Sequence, residues 1–92
     1  MLELRFYFAL DFKFGNYKKM LEVILRKFTE NFDGYTFYTT KGYWKGISET
    51  SYIIEIITDK LDKSKIKDIE RYIKKVGNQK EVLITYKEVN IL

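Results

Sequence analysis

Apolar and polar positions alternate from the first residues of the chain. Leu2, Leu4, Phe6, Phe8 and Leu10 interleave with Glu3, Arg5, Tyr7, Ala9 and Asp11, which predicts a strand with one strongly apolar face. Residues 12–15 break the pattern, and Asn16 is a helix-capping residue type. Tyr17, Leu21, Ile24, Leu25, Phe28 and Phe32 then recur at helical spacing, with Lys18, Lys19, Glu22, Arg26, Lys27 and Glu30 opposite. This is an amphipathic helix of about four turns, ended by Asp33-Gly34. Tyr35, Phe37 and Thr39 alternate with Thr36, Tyr38 and Thr40, a β-branched and aromatic density that favours a second strand. Residues 41–48 carry Gly42 and Gly46 around Tyr43-Trp44-Lys45 and read as the strand's end and a hairpin loop. Tyr52, Ile54, Ile56 and Thr58 alternate with Ile53, Glu55 and Ile57, so the third strand is apolar on both sides and belongs in the middle of a sheet. After a charged turn, Asp62 or Ser64 caps a second helix with the stripe Ile66, Ile69, Ile73 and Val76. Gly77 sits where a left-handed C-cap belongs. Val82, Ile84 and Tyr86 alternate with Leu83 and Thr85 in a last strand, and Val89, Ile91 and Leu92 either extend it or dock elsewhere.

The order β-α-β-β-α-β predicts an α+β, ferredoxin-like sandwich: a four-stranded antiparallel sheet with two helices on one face. Right-handed crossovers put the first and third strands in the middle. The other face has no helix to cover it, and Tyr7, Ala9, Tyr38, Ile53 and Ile57 are its expected residues. An apolar, aromatic face of this kind needs a partner. A second copy of the chain is the expected one, giving a symmetric homo-oligomer, a dimer or trimer.

Length and composition narrow the picture further. The 92 residues fit one domain spanning residues 1–92. The 46% hydrophobic share is enough for collapse and argues against disorder. There is no Cys and no His, which removes disulfides, thiol nucleophiles, thiolate zinc sites, a His general base and a catalytic triad. No basic region precedes an apolar run at the start, and no apolar stretch approaches a membrane span. The expectation is a soluble, cytoplasmic protein without a membrane contact. A net charge of +4 and a pI of about 9.2 are mildly basic, less than a dedicated nucleic-acid module carries.

Candidate chemistry concentrates in residues 34–49, which hold the only Trp, three of the five Gly and two Lys. Trp44 can stack on a base, with Lys41 or Lys45 meeting a phosphate. The packing alternative is that Trp44 anchors the hairpin against the sheet or a neighbouring subunit. Glu49 opens the next strand and can accept hydrogen bonds from loop amides or pair with Lys41. No second carboxylate belongs with it, so a catalytic acid–base pair is not expected. The candidate ligand-binding residues are Tyr38, Lys41, Tyr43, Trp44, Lys45 and Glu49. Asp11, at the end of the first strand, is a candidate metal ligand or an acceptor for backbone amides. Gly42-x-x-x-Gly46 lacks the Lys-Ser/Thr of a phosphate loop. No cofactor and no metal are expected. The second helix, with Lys63, Lys65, Lys67, Lys74 and Lys75, reads first as a solvated face and second as a weak phosphate-contacting surface.

Phe32-Asp33-Gly34-Tyr35-Thr36, Gly42-Tyr43-Trp44, Glu49 and Gly77-Asn78-Gln79-Lys80-Glu81-Val82 together resemble a group of small uncharacterised bacterial, plasmid and phage proteins. The resemblance implies a ferredoxin-like or P-II-like sandwich that is oligomeric and has no established activity. P-II-like proteins bind nucleotides or small effectors between subunits, but their nucleotide loop is missing here. Size and Asp11 also resemble, more weakly, the Cas2-type ferredoxin-like proteins, a match the long aromatic hairpin does not favour.

The leading expectation is a non-enzymatic, oligomeric binding protein that takes a small, nucleotide-like ligand or a macromolecular partner at the hairpin. In a phage or mobile element it would sequester a signal or block a host protein. Two alternatives remain open at this level: a nucleic-acid-binding protein using basic residues and exposed Tyr/Trp, and a metal-dependent nuclease using Asp11.

Overall fold

The alternating segments form β1 (Leu2–Phe8), β2 (Thr36–Trp44), β3 (Ile47–Thr58) and β4 (Leu83–Glu88), and the helical segments form α1 (Tyr17–Asn31) and α2 (Lys63–Gly77). The computed structural model describes residues 1–11, 13 and 15–92. The break expected over residues 12–15 falls partly on Phe12 and Phe14, which lie outside the described residues. All strand pairs are antiparallel, in the order β2-β3-β1-β4. This is the expected ferredoxin-like α+β arrangement, with β1 and β3 in the middle.

One core explains the layering. Leu4, Phe6 and Phe8 of β1 and Tyr52, Ile54 and Ile56 of β3 are buried together with Met20, Ile24 and Phe28 of α1 and Ile69 and Ile73 of α2. Both helices therefore bury their stripes against the same sheet face. The Phe6 and Phe28 rings meet edge to face with centroids 4.9 Å apart, joining the central strand to α1. Register links the strands: Phe6 lies opposite Ile54 on one side and Ile84 on the other.

The helix starts follow from capping chemistry. Asn16 Oδ1 accepts the backbone N–H of Lys18 at 3.0 Å and of Lys19 at 3.3 Å. Asp62 Oδ1 accepts that of Lys65 at 3.0 Å, so Asp62 rather than Ser64 caps α2. Such a cap is worth about 1 kcal/mol.

Four local expectations are corrected. Helix α1 ends at Asn31 with Phe32 as an extended cap, earlier than Asp33-Gly34, and Met20 joins its buried stripe while Tyr17 is exposed. The left-handed residue after α2 is Asn78, at φ 51°, not Gly77. Gly77 is helical, and a Cβ there would stand 3.0 Å from Leu10 Cδ2, so its role is close approach to the end of β1. The hairpin expected within residues 41–48 is present but its loop is shorter: the strands continue to Trp44 and from Ile47, leaving Lys45 and Gly46 as the turn. Both have positive φ, 50° and 80°, the signature of a two-residue type I′ hairpin whose twist matches its strands. The tail continues β4 at Val89, whose N–H donates to Met1 O at 2.9 Å and whose carbonyl accepts from the Met1 amino group at 3.4 Å.

Phe28→Ala removes a fully buried ring that contacts Phe6, Phe32 and Tyr35. Equilibrium urea unfolding is expected to show a loss of about 3–5 kcal/mol. A loss below about 1 kcal/mol would contradict this core.

Candidate functional site

Strand β1 pairs with β3 only as far as Phe8 opposite Tyr52. Beyond that point β2 and β3 continue as a two-stranded ribbon, pairing Thr40 with Ser51 through to Trp44 with Ile47. Because side chains alternate across a strand, the buried positions Tyr52, Ile54 and Ile56 assign every other residue to a face. Tyr38, Gly42 and Trp44 on β2, and Glu49, Ser51, Ile53, Glu55 and Ile57 on β3, belong to the open face. Lys41 and Tyr43 belong to the helix-side face.

The six expected ligand residues are thus divided. Tyr38, Trp44 and Glu49 share the open face, Lys41 and Tyr43 point the other way, and Lys45 occupies the turn. Lys41 sits opposite Thr50, whereas Glu49 sits opposite Gly42, so the two charges are on different faces and do not pair. Trp44 does not anchor the hairpin on the sheet of its own chain: it is 69% exposed, and Lys45 Nζ lies 5.9 Å from its ring centre. Tyr43 and Ile47 at the same tip are equally exposed.

Trp44, Glu49 and Ser51 line a groove of about 510 Å³ with Tyr7, Phe8 and Ala9 from the end of β1. Lys74, Gln79, Glu81, Val82 and Leu83 complete it from the end of α2 and the start of β4. Its far wall is held by polar contacts. Gln79 N–H donates to Lys74 O at 2.9 Å, and Asn78 Nδ2 donates to Asp11 Oδ2 at 3.0 Å. Asp11 Oδ1 accepts the Lys13 N–H at 3.0 Å, and the Asp11 N–H donates to Gly77 O at 3.2 Å. Asp11 therefore clamps the exit of β1 to the end of α2, which is the amide-accepting role. Among the described residues no group of three or more acids is placed to hold a metal ion.

Electrostatically the groove favours a cation. Glu49 and Glu81 border it, and the one Lys side chain among its lining residues, Lys74, is paired with Glu70 at 3.1 Å. Lys74, Gln79, Glu81 and Tyr7 were not among the expected site residues. Their separation along the chain hides them, although the Asn78-Gln79-Lys80-Glu81 run was already part of the sequence resemblance.

The open face beside the groove is charged as well as aromatic. Arg5 Nε lies 3.0 Å from Glu3 Oε1 and 2.9 Å from Glu55 Oε2, and Lys87 Nζ is 3.7 Å from Glu3. Tyr7 and then Glu55 hold the Arg5 guanidinium above its already high range. The expectation of an apolar, aromatic face is thereby corrected: the parity that puts Tyr7, Ile53 and Ile57 on this face also puts Glu3, Arg5 and Glu55 there, half-buried.

No family model and no curated protein matches the sequence. Solved structures do share the fold. A phage SAM lyase in its apo state is similar with a TM-score of 0.58 and 18% identity, over 94% of this chain and 78% of that one. CutA1 from Pyrococcus horikoshii is similar with a TM-score of 0.52 and 12% identity, over 100% of this chain and 86% of that one. The periplasmic divalent cation tolerance protein CutA from Archaeoglobus fulgidus gives 0.53 and 14%, over 99% and 86%. At these identities the likeness is one of fold. The chain is thus a small ferredoxin-like protein, and no helix among its described residues is long and apolar enough to cross a membrane.

Gly46→Val places a β-branched residue at φ 80° and is expected to cost about 1–3 kcal/mol. Urea unfolding measures the loss, and the fluorescence of Trp44, the only Trp, reports the ribbon. Unchanged stability and emission would contradict the type I′ turn.

Proposed function

We propose that this protein is a homo-oligomeric binding protein whose groove takes a small adenosine-containing cation, with S-adenosylmethionine as the representative ligand. The observation that carries this reading is the pairing of an exposed indole, Trp44, with the carboxylates Glu49 and Glu81 around one groove. Indole stacks on adenine, and the two carboxylates suit a sulfonium or ammonium charge. The fold shared with a phage SAM lyase supports the choice of ligand. Tyr38 stands on the same face as Trp44 and Glu49 and extends the surface toward the sheet. Lys41 and Tyr43 present the other side of the ribbon to a second copy, and Lys45 stays at the turn beside Trp44. Exposed Trp44, Ile47, Ile57 and Leu83 support assembly of copies through the open face and ribbon. In the cytoplasm of an infected host such a protein would withdraw the ligand from its users, a non-enzymatic role.

A second reading is that the bound sulfonium is also cleaved. Glu49 lines the groove that Trp44 lines, and the neighbour with this fold is named a lyase. The ligand's own carboxylate oxygen would form a bond to the aminocarboxypropyl γ-carbon as its carbon–sulfur bond breaks, so that the sulfur keeps the bonding pair and leaves as a neutral adenosine thioether while the carbon chain closes to a lactone.

Calorimetric titration with S-adenosylmethionine, followed by chromatography of the nucleoside products, tests both readings. Binding is expected, with weaker binding of the neutral S-adenosylhomocysteine. Trp44→Ala is expected to weaken binding about tenfold or more, in line with roughly 1–3 kcal/mol per stacked base. Native mass spectrometry is expected to give a multiple of the 11.1 kDa protomer. No heat of binding at millimolar ligand would sink the ligand assignment. Appearance of the thioether, lost in Glu49→Gln, would replace the binding-only role with the lyase reading.

A further inference from the structure

The two helices carry different charge patterns on their outer faces. Along α1 the exposed row reads Lys19, Glu22, Arg26 and Glu30, with Arg26 Nη2 3.2 Å from Glu22 Oε1. Such alternation is what a solvated helix face needs. Along α2 the row Lys63, Lys67, Arg71 and Lys75 is cationic at every fourth position, and all four side chains are exposed. None of the four makes an ion pair among the described residues; the acids of α2 are used elsewhere, Asp68 by Lys27 and Glu70 by Lys74.

This row works against the helix that carries it. Like charges four residues apart repel. Lys63 also stands in the first turn, at the positive end of the helix dipole, where the capping carboxylate of Asp62 is the one acid, while Lys75 in the last turn is favourably placed. Solubility does not require the pattern, since α1 achieves it with mixed charge.

The asymmetry extends to the whole molecule. The two helices together hold ten Lys/Arg against four Asp/Glu, while the chain as a whole has a net charge of only +4. The sheet, ribbon and connecting segments are therefore net negative. A polyanion meets attraction over the helix layer and repulsion at the groove with Glu49 and Glu81.

We propose that the Lys63–Lys67–Arg71–Lys75 row is a docking surface for the sugar–phosphate backbone of nucleic acid. Successive charges rise about 6 Å along the axis, a step comparable with that between phosphates on one strand. No exposed aromatic side chain lies in the row, so the contact reads charge and not base sequence. The surface is separate from the groove, and its test does not depend on the small-ligand reading.

Fluorescence anisotropy of a labelled 20-base-pair DNA duplex, measured from 50 to 200 mM KCl, decides the matter. Four phosphate contacts predict that affinity falls roughly 100-fold across this range. Lys67→Gln/Arg71→Gln is expected to weaken binding at 50 mM KCl tenfold or more and to lower the salt slope by about 2. Lys18→Gln/Lys19→Gln, which removes the same charge from α1, is expected to leave both nearly unchanged. Circular dichroism confirms that each variant retains its helices. Absence of binding at 50 mM KCl, equal losses in the two double variants, or binding to phosphatidylserine vesicles without binding to DNA would each overturn the proposal.

Discussion

The pairing of β1 with β3, fixed by Phe6 opposite Ile54, is the constraint on which the rest of the molecule depends. These two strands are the inner ones, and their even-numbered residues form the floor of the core. A slip of one residue would turn Leu4, Phe6 and Phe8 to solvent and bury Glu3, Arg5 and Tyr7. Burying those charges without their present partners would cost far more than any edge contact returns. Every functional statement about the open face inherits its parity from this pair.

The same constraint explains the ribbon. Strand β3 has twelve residues and β1 only seven, so β3 outruns its inner partner and continues with β2 alone. A two-stranded ribbon without a third strand or a helix beneath it is only marginally stable. The type I′ turn at Lys45-Gly46 sets its register. Its exposed aromatic tip is poorly explained by the fold of one chain and well explained by a ligand or a second copy. The groove is the place where the ribbon, the clamp formed by Asp11 and Asn78, and the end of α2 come together.

Sequence pattern revealed the elements because most of them bury one face. Alternation over residues 2–10 and the stripe Ile69/Ile73 report contact with the core directly. The ribbon buries neither face, so no core imposes alternation there and sequence pattern does not separate Gly42 from Gly46. Only Gly46 has positive φ, whereas Gly42 lies in the strand opposite Glu49. Similarly, Gly77 and Asn78 are adjacent, and periodicity cannot tell which takes the left-handed position. The backbone shows Asn78 at φ 51°, while Gly77 serves the close approach to Leu10. Trp44 and Glu49 were legible as candidates by composition. Their separation from Lys41 and Tyr43 needed the register, and the contributions of Glu81 and Lys74 needed the fold.

The ribbon and the clamped end of α2 frame the groove in which we propose an adenosine-containing cation binds. The most direct measurement is a crystal structure of the protein grown with S-adenosylmethionine. Density is expected for the adenine against Trp44 and for the sulfonium between Glu49 and Glu81. Density confined to the helix layer or to the opposite end of the sheet near Asp59, with Trp44 still bare to solvent, would contradict it.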